Sequence, residues 1–315
     1  MNTPKTISCS VTGYRKQLEG KPCEDATRVV RLKNATVLSV ADGHGDPRCL
    51  FAHIGSRLAV RAACDILKKY YKRIGKEDPS VYWNARRTEI AQDIVKCFSC
   101  YAVEDYSARC PSSITSDEQK TVFDYIDKEF MQSKERCTPE QIRQRYTQRK
   151  RIGDRLQSIL YLYGTTLRAS LITDRYMFHL AIGDGDTVIL VGDRVEWVLP
   201  KAEAFECETA SLCECAEDAV NDFLFSYTEI DGELAEKTKL SDLGVCPQMI
   251  ALSTDGFRNS FSCDVRYQEK ICDIYQKVVK KRKEQVHRKI TVLFDSLSKN
   301  SVYQDDISMV ILCNH

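Results

Sequence analysis

No run of 18 or more apolar residues occurs in the chain, so nothing in it reads as a transmembrane helix. No charge of one sign dominates: 46 Lys and Arg stand against 45 Asp and Glu, a net charge of +1. That balance argues against a global field for nucleic acid or a membrane surface. The opening MNTPKTISCSVTGYRK lacks the apolar core of a signal peptide, and the expected location is cytoplasmic. There is no internal repeat and no low-complexity linker. The 315 residues, 43% hydrophobic and 29% charged, suffice for one large domain with a sizeable core.

The fifteen cysteines are odd in number and irregular in spacing. Without a secretion signal they do not read as a disulfide framework. Cys97-x-x-Cys100 is half of a zinc pattern, but it lies in a helical stretch and no second pair completes it. Buried thiols acting as small hydrophobes are expected.

The apolar pattern predicts short strands at 7–12, 27–33 and 35–41, then a helix from Pro47 to Tyr71 with Leu50, Ile54, Leu58, Ala62 and Ile66 at steps of four. Val81 to Tyr106 reads as a second helix. A Ser/Thr/Pro cluster at 110–119 reads as a loop, with Ser116 or Asp117 capping the next helix. Residues 120–160 read as charged helix. Six basic residues and one acidic between Arg143 and Arg155 suggest a solvated face. From Gly164, TTLRASLIT, RYMFHLAIGD, DTVILVGD and VEWVLP read as an antiparallel meander. Residues 201–246 show little periodicity. QMIALSTDGF is a buried strand, Ser262 to Ser298 is helical, and DDISMVILCN is a last strand. The basic stretches 143–155 and 277–283 raise the question of nucleic acid, but no aromatic residues are interleaved with them.

Aspartates recur where strands end or begin: Asp42 in VADGHG, Asp184 in AIGDGD, Asp255 in STDGF and Asp305 in YQDDIS, with Glu24-Asp25 ahead of the second strand. Asp-Gly is the commonest turn dipeptide, so any one of these reads as a turn. Several carboxylates at strand ends are costly unless a cation or water meets them. Hard oxygen donors suit magnesium or manganese.

These stretches, in this order, resemble the metal-dependent protein phosphatases of the 2C type. The matching motifs are Glu24-Asp25, Asp42-Gly43-His44-Gly45, Gly164-Thr165-Thr166 with Gly183-Asp184, Thr254-Asp255-Gly256 and Asp305-Asp306. TGYRKQLEGKPCEDA resembles a bacterial branch that opens G-x-S-H-x-x-x-G-x-P-C-Q-D-A. The resemblance implies an α+β fold, a four-layer α-β-β-α sandwich of two antiparallel sheets flanked by helices. It implies one domain over 1–315, with a helical insertion at about 108–150 and a variable flap within 201–246. It implies a phosphoserine/phosphothreonine protein phosphatase using two Mg2+ or Mn2+ ions, with a third at a weaker site. A metal-bridging hydroxide would attack phosphorus directly, with no Cys-x5-Arg nucleophile. Asp42 would bridge the ions, Asp255 and Asp305 would complete the set of ligands around the first ion, and the Gly43 carbonyl would bind the second ion. Glu24 and Asp25 would hold its waters, and Asp184 would join Asp255 at the third site. His44 would be the general acid. Phosphorylated proteins are the implied partners, with a cognate Ser/Thr kinase opposing; no nucleic-acid or membrane partner is implied.

Three positions depart from the family pattern. Gly20 stands where many members carry a phosphate-holding arginine, which leaves Lys21, Lys16 and Arg15 as candidates. Lys16 replaces the branch's histidine, and Asp306 stands where asparagine is common. A phosphatase-like regulatory or binding module of weak or no activity is the alternative.

Overall fold

The structure is a computed structural model describing residues 4–130, 139–200, 210–214, 216–230, 247–280 and 282–313, with backbone alone over 127–130, 139–149 and 216–217. In chain order the elements are β1 (Lys5–Val11), α1 (Tyr14–Leu18), β2 (Ala26–Arg31), β3 (Ala35–Ala41), α2 (Ala52–Arg73), α3 (Pro79–Ala85), α4 (Arg87–Arg109), α5 (Ser116–Phe130), α6 (Pro139–Tyr161), β4 (Leu167–Thr173), β5 (Tyr176–Ile182), β6 (Asp186–Val191), β7 (Arg194–Trp197), α7 (Ala216–Asn221), β8 (Leu224–Glu229), β9 (Met249–Ser253), α8 (Asp255–Arg258), α9 (Asp264–Lys280), α10 (Lys283–Asn300) and β10 (Ile307–Cys313).

Two antiparallel five-stranded sheets, β1-β10-β9-β6-β7 and β2-β3-β4-β5-β8, stack face to face. β3 shows why its sequence is continuously apolar. Leu38 and Val40 point between the sheets, while Val37 and Ala41 point at the helices. A strand covered on both faces loses the usual alternation. Ile250 and Leu252 of β9 and Val310 and Leu312 of β10 meet Leu38 and Val40 from the other sheet. One outer face is covered by α2 to α6, the other by α9 and α10. The expected four-layer sandwich is the observed one.

Some expectations need correction. The run from Gly164 is not one meander: β4 and β5 belong to one sheet, β6 and β7 to the other. The crossing is made at Gly183-Asp184-Gly185, where both glycines take positive φ (81° and 100°) that other residues rarely adopt. The helix predicted from Pro47 starts at Ala52. Asp46 accepts from Arg48 N at 2.8 Å, and Phe51 N donates to Leu162 O at 2.8 Å, so residues 46–51 are spent in turns. Leu50 is consequently 65% exposed rather than in the core. The 81–106 helix is two helices divided at Arg86, with α3 begun by Pro79 and capped by Asp78, which accepts from Ser80 N and Val81 N. Thr115, not Ser116 or Asp117, caps α5, its Oγ1 accepting from Glu118 N at 3.2 Å. Within 201–246 the structure adds α7 and the edge strand β8; 201–209 and 231–246 lie outside the described residues. Every described cysteine is a free thiol. No described helix is long and apolar enough to cross a membrane.

Candidate active site

Strand register gathers the acidic residues at one end of the sandwich. Ala26 pairs with Ala41, which sets Asp25 beside Asp42. Asp186 and Met309 both pair with Ser253, which brings the 184–186 turn, Asp255 and Asp305 to the same edge of the other sheet. A cavity of about 420 Å³ opens there, with Glu24, Asp42, Gly43, His44, Asp184 and Asp255 in its wall. Asp305 also lines it, while Asp25 lies beneath, 5% exposed.

The Asp42-Gly43-His44 backbone is fixed by the Gly164-Thr165-Thr166 segment. Asp42 O accepts from Thr166 N and Thr165 Oγ1, both at 2.8 Å, and Asp42 N donates to Thr166 Oγ1 at 3.1 Å. His44 N donates to Gly164 O at 3.0 Å, and Gly43 N to Glu24 O at 3.1 Å. The distant GTT motif is thus the splint that holds the Asp42-Gly43-His44 strand end. On the other sheet, Gly256 lets the start of α8 lie against β10: a Cβ there would stand 2.0 Å from Asp306 O. Gly256→Ala is expected to cost about 1–3 kcal/mol of stability through backbone displacement, read as a fall in thermal midpoint.

The carboxylates are in an uncomfortable state. Asp25 Oδ2 accepts from Thr254 Oγ1 at 2.8 Å and Asp255 Oδ2 from Asn259 Nδ2 at 2.8 Å, but Asp25 Oδ1 and Asp255 Oδ1 are buried without a hydrogen-bond partner. Burial, then the Asp306 charge, pushes the Asp25 carboxyl well up. Burial, then Asp25 and Asp255, does the same to Asp42. Asp255 is pushed to about 7 by burial, then by Asp184 and Asp305. Asp305 is raised by burial although Lys16 opposes it. Buried oxygens of this kind favour a cation. No three His, Cys, Asp or Glu side chains among the described residues are grouped closely enough to hold an ion as they stand.

His44 faces the cavity. Burial pulls its imidazole below the ordinary value, with Asp184, Asp46 and Glu24 opposing. The basic candidates divide. Arg15 and Lys21 stand on the rim, paired to Glu19 at 3.3 and 2.7 Å. Lys16 instead turns inward, its Nζ 2.6 Å from Glu24 Oε2, 2.7 Å from Asp306 Oδ2 and 4.0 Å from Asp305 Oδ1. Gly20 has φ +68°, so an arginine at that position would be strained.

Cys-x5-Arg spacing does occur, at Cys9 and Arg15, contrary to expectation; the same spacing at Cys137 and Arg143 lies outside the described side chains. Cys9 is a buried β1 residue whose thiol meets Thr291 at 3.4 Å, and burial pushes the thiol up, so it is no nucleophile. One contributor is not evident in the sequence. Arg168, 2% exposed, donates from Nε to Asp184 O at 3.0 Å and from Nη2 to Gly183 O at 3.3 Å, which fixes the turn carrying Asp184. Its one signal is a lone charge inside the apolar strand TTLRASLIT.

A family model described as protein phosphatase 2C matches residues 12–291. Among solved structures, a bacterial serine phosphatase superposes with a TM-score of 0.54 at 12% identity, covering 99% of this chain and 98% of its own. The serine/threonine phosphatase Stp1 from Staphylococcus aureus gives a TM-score of 0.54 at 12% identity, covering 100% of this chain and 96% of its own. At that identity the likeness is one of fold. No curated protein matches the chain.

Proposed function

Because the chain belongs to the protein phosphatase 2C family, a family of serine/threonine protein phosphatases, we propose that it hydrolyses phosphoserine and phosphothreonine on proteins in a reaction dependent on Mg2+ or Mn2+. The observation that carries this reading is the set of carboxylates from both sheets, buried or half-buried, in and beneath the wall of one cavity with a basic rim. The donors are all oxygens, as these ions require.

Asp42, Asp255, Asp305 and the Gly43 carbonyl would hold two ions. Glu24 and Asp25 would hold the second ion's waters, and Asp184 with Asp255 would serve a weaker third site. Bound there, the ions supply positive charge that acidifies water and offsets charge on the phosphoryl oxygens. Arg15 and Lys21 on the rim attract the phosphate and the acidic flanks of a substrate. The Gly164-Thr165-Thr166 splint keeps Asp42 in place through turnover. One domain over 1–315 with a helical insertion at about 108–150 remains our reading of the architecture; the packing of α5 and α6 on α4 supports it. A serine/threonine kinase is the partner class that would supply substrates.

His44 is proposed to give its proton to the leaving serine or threonine oxygen. An arriving phosphate dianion counters the effect of burial and favours the protonated ring. A serine alkoxide needs that proton; p-nitrophenolate does not. His44→Gln should therefore lower kcat on a phosphothreonine peptide by about 10²- to 10⁴-fold, and change p-nitrophenyl phosphate hydrolysis far less. Equal loss on both substrates would remove His44 from the acid role.

The regulatory-module alternative draws on one observation, the Lys16 ammonium among the carboxylates. Mn2+-dependent release of phosphate from a phosphopeptide, lost in Asp42→Ala, decides for the enzyme; metal binding without turnover decides for the module.

A further inference from the structure

We infer that Lys16 is an internal cation standing in for the second divalent ion. The chain then binds one ion tightly at Asp42, Asp255 and Asp305, and a second only by displacing the ammonium. The inference rests on the metal-dependent reading above.

Three observations carry it. The Lys16 side chain is only 18% exposed, and its Nζ touches Glu24 and Asp306 at 2.6 and 2.7 Å. Glu24 is the residue proposed to hold the second ion's waters, so the ammonium answers the charge that would otherwise attract that ion. Asp306, 1% exposed, is built for this pairing. Its Oδ1 accepts from Gly13 N at 2.6 Å, and its Oδ2 accepts from both Glu24 N and Lys16 Nζ at 2.7 Å. All three partners are donors. An asparagine would turn its own N–H2 toward one of these sides, donor against donor. Two of the departures from the family pattern, Lys16 and Asp306, are therefore one feature: a buried cation with its matched anion. Burial lowers the basicity of Lys16, but Asp306 and Glu24 overcome this and hold the ammonium protonated. Lys16 also lines the cavity, so an ammonium displaced by a second ion stays within reach of a bound phosphate.

The test is calorimetric titration of the full chain with Mn2+, comparing wild type with Lys16→Met and with Lys16→Gln, which fills much of the same space without charge. Wild type should show one tight ion and one weaker. Both variants should bind the second ion on the order of tenfold more tightly, because a positive charge a few ångströms away has been removed. The first ion should change far less. A purely structural ion pair would lower the thermal midpoint in the variants without tightening the second site, and that result overturns the inference. So does equal, tight binding of two ions by wild type. Asp255→Asn separates the two levels: if Mn2+ binding does not respond to it, the metal reading itself fails, and Lys16 with it.

Discussion

Stripped of divalent ions, the Asp255→Asn protein should be more stable than wild type, by an amount that is near zero at pH 4 and grows through neutral pH. The sign follows from the carboxyl. Asp255 titrates near 7 in the folded chain against an ordinary 3.8, so between those values the folded state binds the extra proton. Wild type therefore loses stability as pH rises from about 4 to about 7, and the difference levels off above. A shift of that size amounts to on the order of 4 kcal/mol. Buried His179, pulled to about 3 by desolvation, has the opposite sign, stability rising with pH up to its unfolded value. It is present in both proteins and cancels in the comparison. Chemical unfolding at pH 4, 5.5 and 7.5 in a chelator measures the difference. A constant difference, or one that shrinks with pH, would remove the buried-charge account of this site.

Asp42→Asn should separate function from stability most sharply. With Mn2+ present, phosphopeptide hydrolysis should fall by about a thousandfold, the scale of losing a principal source of charge stabilisation in a reacting site. Without metal, the same variant should gain thermal midpoint, since burial, and then the charges of Asp25 and Asp255, raise the Asp42 carboxyl well above normal. A residue that is only a turn former would do neither. Steady-state kinetics and a melting curve on the same preparation read both effects. Functional carboxylates held together against their repulsion trade stability for activity in this way.

Much of the fold and the site is legible in the sequence. Strand ends carrying Asp42, Asp255 and Asp305 announce themselves because apolar runs stop on acids, and the observed β3, β9 and β10 end or begin there. The order of motifs points to the family and the sandwich. What the sequence withholds is long-range. Nothing local shows that the GTT segment splints Asp42, or that Arg168 reaches across to the Asp184 turn; those are contacts between residues 123 and 16 positions apart. The split of the β4–β7 run between two sheets is hidden because each of its long strands is buried on both faces and the period is lost. The delayed start of α2 turns on Asp46 bonding its own neighbours, a local competition that apolar spacing does not report. A lysine near a phosphatase motif suggests a phosphate ligand; only the folded arrangement shows Lys16 among Glu24, Asp305 and Asp306.

If carboxylates from two sheets form a metal-dependent phosphatase centre, turnover must stand or fall with the divalent ion. Phosphate release from a phosphothreonine peptide, measured in chelator and then across a Mn2+ titration, tests it most directly. The expected result is no turnover in chelator, full turnover on adding Mn2+, and no recovery in Asp42→Asn at any Mn2+ concentration. Turnover that persists in chelator, or an Asp42→Asn protein as active as wild type, would contradict it.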